Sequence, residues 1–212
     1  MMRDTVDWAA YYQKVSGRQA RPLLKDALEH AGSNTQATPR QAIDLGCGDG
    51  TETLILLEQG WRVLAIDGEP AAITQLRAKV PAETADRLET RVANFESMGD
   101  LPPADLIHAS LSLPFCHSEH FDTLWTKIVN SITSGGWFAG NFFGVNDSWT
   151  VHDDMTFHTA EQVRKMLEPF EIAYFQEEDE EGRSTIGPKH WHIFTVIARK
   201  ARHPDLYELL QD

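Results

Sequence analysis

A chain of 212 residues, 42% of them hydrophobic and six of them tryptophan, can build one well-cored domain, and this composition excludes global disorder. Its formal net charge of −13 disfavours a nucleic-acid partner, because affinity for a phosphate backbone comes from Lys and Arg displacing counterions. No apolar run nears the ~20 residues of a membrane helix, MMRDTVDWAAYYQK has no h-region, and Cys47 and Cys116 sit in apolar segments, so a reducing cytoplasm without membrane contact is expected.

Along the chain, helical and strand patterns alternate. Pro22 can open a helix whose apolar face is Leu23, Leu24, Ala27, Leu28 and Ala31, with Gly32 ending it. After the polar loop GSNTQATPR come a buried strand, QAIDL, and a helix, TETLILLEQ, stopped by Gly60. The strand WRVLAID and the helix PAAITQLRAKV complete a βαβ unit. LETRVAN and DLIHASL are further strands, followed by the helix EHFDTLWTKIVNSI and the strand GWFAGNFF. The helix AEQVRKMLEPF leads to the strand EIAYFQEE, an acidic turn DEEGRSTIGP, and a last strand KHWHIFTVIARK, which the hairpin-like connection makes antiparallel. The expected architecture is a doubly wound, mostly parallel α/β sheet with helices on both faces, spanning residues 1–212 as one domain: an N-terminal segment, 1–32, and a core, 41–200.

In such a sheet, ligands bind beyond the carboxyl ends of the strands where the strand order reverses. The end of QAIDL is such a place, and it runs into AIDLGCGDGTE, with Gly46, Gly48 and Gly50 on alternate positions. Glycines there permit positive φ and let a ligand approach the backbone. A dinucleotide fingerprint needs its third glycine at the sixth position, where this chain has Thr51, so nicotinamide chemistry is disfavoured. Asp44, two residues ahead of Gly46, suits a ligand with a cationic amine.

The run Asp44-Leu-Gly46-Cys-Gly48-Asp-Gly50 resembles the first motif of class I S-adenosylmethionine-dependent methyltransferases. Asp67, ending VLAID just before Gly68, matches the carboxylate that accepts the ribose hydroxyls, and Asn94-Phe95 matches the adenine contact. The resemblance implies a seven-stranded sheet of order 3-2-1-4-5-7-6 and S-adenosyl-L-methionine as cofactor. It places Asp44, Gly46, Cys47, Gly48, Gly50, Asp67, Gly68, Asn94, Phe95 and Ser110 around that cofactor, Cys47 by its backbone. It also implies that the N-terminal aromatic segment is a lid, in which Tyr12 and Arg21, ahead of Tyr11 and Arg18, supply aromatic cover and a cation. The layout, with SLPF after the fourth strand and KHWHIF near the end, is similar to the small-molecule methyltransferases of the tellurite-resistance type.

Methyl transfer from a sulfonium needs chiefly alignment and exclusion of water. Should the acceptor carry a proton, histidines are the candidate bases, because their unperturbed pKa lies near neutrality. His117 follows SLPFC, and His190 and His192 open the last strand, where alternation places them on one face and Trp191 on the other. His152, Asp153, Asp154 and His158 match no closed ligand set, so no metal is expected. Ser110-Leu-Ser112-Leu-Pro114-Phe115 is unlike the sequence that holds a DNA base amine. With Leu111, Leu113, Phe115, Phe143 and Trp149 nearby, the expected partner is a small, partly apolar methyl acceptor or a soft chalcogen nucleophile. The alternative is a catalytically inactive S-adenosylmethionine-binding module that acts as a sensor or complex subunit.

Overall fold

The computed structural model describes residues 8, 11–12, 17–32, 39–184 and 187–201. Its sheet runs β3-β2-β1-β4-β5-β8-β7, with a two-residue β6, Phe157–His158, paired to β5 off this path. β1 (Gln41–Leu45) lies between β2 (Arg62–Asp67) and β4 (Ala104–Ala109), all parallel, and β3 (Leu88–Val92) follows β2 at the edge. β5 (Ile132–Gly144) is parallel to β4 and antiparallel to β8 (Gly187–Lys200). The expected strand order is therefore the observed one, with the last two strands renumbered because β6 intervenes.

The strands sort their side chains by period two. Ile43 and Leu45 of β1, Phe138 and Phe142 of β5 and Phe194 of β8 face one layer, and Ala42, Leu106, Ala139 and Ile197 face the other. α4 (Ser118–Ser131) and α5 (Ala160–Met166) cover the first layer, where Trp125 meets Phe138 edge-on at 5.0 Å. α1 (Pro22–Ala31) and α2 (Thr51–Glu58) cover the second with Leu24, Leu56 and Leu57. The central strands are buried on both faces, so their sequences read as continuous apolar runs. Local signals set the helix ends. α3 (Pro70–Lys79) starts with a proline and a Glu69 cap on the Ala71 N–H and ends with Arg77 and Lys79, and α5 opens on a Thr159–Gln162 capping box. Among the described residues no helix is long and apolar enough to cross a membrane.

The sequence places a turn over DEEGRSTIGP, but the chain stays in strand. β7 (Phe170–Ser184) pairs antiparallel with β8 along its whole length, up to Ser184 opposite Gly187; Thr185 and Ile186 lie outside the described residues. Cross-strand pairing absorbs the acids. Asp179 lies opposite His192 and Glu181 opposite His190, and the His190 ring joins Asp179 at 2.6 Å and Glu181 at 2.8 Å. Acids repeating every second residue across from histidines form a ladder of opposite charge rather than a repelling loop.

His158 stands in the core, its ring 4.6 Å from Phe121 and 5.8 Å from Phe142, and burial pushes its pKa down to about 4 from 6.5. The unfolded chain therefore binds the extra proton first, and stability should fall as pH drops from 6.5 to 4. This histidine should contribute on the order of 3 kcal/mol to that fall. Urea unfolding of wild type and His158→Phe across this window should show a flatter profile for the variant; parallel profiles would mean that His158 titrates normally.

Candidate functional site

The chain turns sharply where β1 ends. Gly46, Gly48 and Gly50 all have positive φ (73°, 52° and 83°), the left-handed region that other residues enter at a cost of about 1–2 kcal/mol. The Gly46 and Cys47 N–H groups both donate to the Ile66 carbonyl, at 2.8 and 3.0 Å, which draws the turn onto the end of β2. On its other side a Cβ at Gly46 would collide with Ser112, whose hydroxyl donates to the Leu45 carbonyl at 2.6 Å. A Cβ at Gly48 would stand 3.0 Å from the Tyr12 ring, and one at Gly50 would stand 2.6 Å from Leu76 of α3.

Asp67 closes this floor. Its carboxylate accepts the Gly48 N–H at 2.8 Å, the Glu69 N–H at 2.8 Å and the Tyr12 hydroxyl at 3.3 Å. Burial raises the pKa of Asp67 against the pull of these donors, and burial with the nearby carboxylate raises that of Tyr12 so far that the phenol remains a donor. Asn94 lies over Gly68, where a Cβ would strike its side-chain oxygen.

β4 leaves the sheet through Leu111, whose φ of 52° is the one positive value of a non-glycine among the described residues. Asn141 of β5 holds this strained corner by accepting from the Leu111 N–H at 3.1 Å and the Ser110 hydroxyl at 3.3 Å. Across β1, the Asp44 carboxylate takes the Thr53 hydroxyl at 2.6 Å and the His108 ring at 3.0 Å. Glu52 of α2 ties down the N-terminal segment, binding the Arg18 guanidinium at 2.6 Å and the Arg21 N–H at 3.1 Å. Burial alone would raise the pKa of Glu52, but Arg18 overrides it and holds the carboxyl below its ordinary value.

Most of these residues, among them Gly46, Gly48, Asp67, Asn94, Asp44, His108, Glu52 and Arg18, line one cavity of about 840 Å³. It extends from the glycine turn to an aromatic wall in which Phe115 meets Trp8 at 5.0 Å and Trp149 at 6.2 Å, and Trp191 meets Trp149 at 5.6 Å and Phe143 at 5.9 Å. Behind the wall the Lys189 ammonium sits 3.9 Å from Trp149 and 4.2 Å from Trp191 and pairs with Asp147.

Of the residues singled out from the sequence, Tyr12, Arg21, Asp44, Gly46, Cys47, Gly48, Asp67, Gly68, Asn94, Phe95, Ser110 and His117 all line this cavity. Gly50 lies beneath it against Leu76, and Leu113 is in the core. Of the segment expected to form a lid, residues 8, 11 and 12 and the stretch 17–32 are described, and the other positions of 1–32 lie outside the described residues. His117 spends its Nδ1 on α4, accepting the Glu119 N–H at 3.2 Å.

His190 and His192 do not reach the cavity, contrary to expectation. They share a face, but it is the face of Phe194, which the α4–α5 layer covers, whereas Trp191 shares the cavity face with Ile193 and Thr195. The His192 ring packs on Gly144 and holds Glu177 at 3.0 Å. Sequence reasoning also passed over His108, which lines the cavity; its signal was a histidine two residues before Ser110 in a central strand, but its register against Asp44 is a tertiary fact.

The sheet order, the glycine turn and the acid ending β2 define a class I S-adenosylmethionine-dependent methyltransferase fold, and S-adenosylmethionine is the cofactor of that class. Residues 42–136 match the family model described as a methyltransferase domain. The chain is 29% identical over 136 residues to a trans-aconitate 2-methyltransferase of Methylobacterium nodulans, covering 63% of this chain and 48% of that protein. It thus spans about half the length of the curated relatives it matches. Among solved structures it resembles TehB from Haemophilus influenzae, with a TM-score of 0.70 and 17% identity over 91% of this chain and 67% of that one. It also resembles a 1,6-didemethyltoxoflavin-N1-methyltransferase of Burkholderia thailandensis, with a TM-score of 0.67 and 21% identity over 94% and 86% of the two chains.

The packing at Gly46 is directly testable. Gly46→Ala should cost about 2 kcal/mol or more in urea unfolding, from the positive φ and the collision with Ser112 together. Adding Ser112→Gly should recover the collision part and leave the φ part. Because Ser112→Gly alone loses the bond to Leu45, a Gly46→Ala cost as large in the Ser112→Gly background as in wild type would show that the contact with Ser112 is not what forbids a side chain.

Proposed function

We propose that this chain transfers the sulfonium methyl of S-adenosylmethionine to a small, partly apolar acceptor by in-line displacement. The observation that carries this reading is the single cavity joining the glycine floor to the aromatic wall. The residues fit the cofactor, since Gly46, Cys47, Gly48 and Gly68 present a largely backbone floor to the cavity beside the Asp67 carboxylate. The bound sulfonium supplies an electrophile that needs no acid–base activation, which leaves the protein the work of holding and drying the site.

Asp67 is positioned to accept the ribose hydroxyls, since its carboxylate is pinned by two backbone N–H groups and turned toward the cavity. Asn94 and Phe95 form the adenine side, and the Tyr12 ring covers Gly48. At the other end Trp149, Trp191, Phe115 and Phe143 take the body of the acceptor and exclude water, which sharpens alignment and suppresses hydrolysis. His117 and His120 both line the cavity and are the candidate bases for an acceptor proton, His117 through its Nε2 because its Nδ1 caps α4. The net charge of −13 and the aromatic wall favour a metabolite over a nucleic acid. The relatives named for trans-aconitate and for 1,6-didemethyltoxoflavin are consistent with small acceptors.

S-adenosylhomocysteine at ~100 times its Kd should stabilise the protein by about 2.7 kcal/mol, and NAD should not. A shift with NAD alone would overturn the cofactor reading. Incubation of the protein and S-adenosylmethionine with a metabolite extract should yield a product heavier by one methylene unit, and Trp149→Ala should lower its formation while S-adenosylhomocysteine affinity stays within about threefold, or ~0.7 kcal/mol. Cofactor binding with no methylated product from any extract or panel would instead favour a binding module.

A further inference from the structure

Two residues that line the cavity, His108 and Arg18, each keep a buried nitrogen without a hydrogen-bond partner, Nε2 of His108 and Nε of Arg18. His108 is 1% exposed, and leaving such a group unmet costs about 1–3 kcal/mol, so a partner brought by a ligand is indicated. The state of the ring follows from its other nitrogen. Nδ1 lies 3.0 Å from Asp44, whose second oxygen accepts the Thr53 hydroxyl. An ionised carboxylate only accepts, so Nδ1 carries the hydrogen, and in the neutral ring Nε2 then presents a lone pair.

Position says which part of a ligand would meet it. Asp67 ends β2 on one side of the glycine turn, and His108 stands in β4 on the other, level with Asp44 of β1. With the ribose at Asp67, as proposed above, the amino-acid end of the cofactor falls on the β1–β4 side. That end carries a cationic amine with hydrogens to give and a carboxylate to accept, which matches an orphan acceptor on His108 and an orphan donor on Arg18.

We propose that His108 is a cofactor-binding residue whose Nε2, backed by Asp44, accepts a hydrogen bond from the α-ammonium group of S-adenosylmethionine. Asp44 then acts on the amine through the imidazole, which explains why an acid two residues ahead of Gly46 spends its oxygens on His108 and Thr53. The inference rests on the cofactor reading above.

The experiment is calorimetric titration of the full chain with two probes, S-adenosylhomocysteine and 5′-methylthioadenosine, which lacks the amino-acid end. His108→Asn keeps a donor for Asp44 and removes Nε2; His108→Gln keeps a polar group near Nε2. His108→Asn should weaken S-adenosylhomocysteine about tenfold and leave methylthioadenosine unchanged, while His108→Gln should retain most of the affinity. Equal loss for both probes, or loss for neither, overturns the proposal. Wild type that binds neither probe overturns the cofactor reading itself, which keeps the two failures apart. Should the variants not fold, nitrogen NMR of the wild-type imidazole decides: the Nε2 signal of His108 should move with S-adenosylhomocysteine and not with methylthioadenosine, and an unmoved signal rejects the contact.

Discussion

The structure depends on the close approach of backbone to backbone at the carboxyl end of β1. The Gly46 and Cys47 N–H groups share the Ile66 carbonyl on one side, and Ser112 occupies the space where a Gly46 side chain would stand on the other. This pinches the ends of β2, β1 and β4 around a turn in which every second residue is glycine. Other placements follow from it. Asp67 meets the Gly48 N–H, the Tyr12 ring lies over Gly48, and Leu76 packs where a Gly50 side chain would be. The turn is at once the hub of the packing and the floor of the cavity.

Around that floor the chain collects buried charge, and each charged group has a specific partner. Asp44 holds His108 and Thr53, Glu52 holds Arg18, and Lys189 holds Asp147. Pairs of this kind add little net stability, because the desolvation cost nearly cancels the attraction, but losing one partner is costly. They fix geometry instead. Glu52 fastens the segment carrying Arg18 and Arg21 to α2, and Lys189, under the rings of Trp149 and Trp191, sets the aromatic wall from behind.

The β7–β8 hairpin shows how tertiary pairing overrides a local signal. By composition EEDEEGRS is a solvated turn, since like charges repel and glycine breaks strands. Opposite it on β8, however, stand His190 and His192, and the acids Glu177, Asp179 and Glu181 point to the same side as those rings. The same alternation that gives the histidines to the acids gives Trp191 to the cavity.

The floor of the site was legible in the sequence because its requirements are local. Three alternate glycines after QAIDL demand positive φ, an acid ending VLAID falls at the edge where the next strand stops, and Asn94 follows the third strand by two residues. Alternation along KHWHIF likewise showed that His190 and His192 share a face and Trp191 takes the other. It could not show which face meets the cavity, because a pleat has a period and no phase until the strand is seated against its neighbour. The pairing of His108 with Asp44 is of the same kind: two residues 64 apart meet only because β4 lies beside β1 in one register. Sequence by itself determined the order of the main elements and the glycine turn, but not the extent of β7 or the short β6. Tertiary structure alone decided that His108 lines the cavity while His190 and His192 do not, because strand register and sheet orientation are set by packing across the whole sheet and leave no local mark.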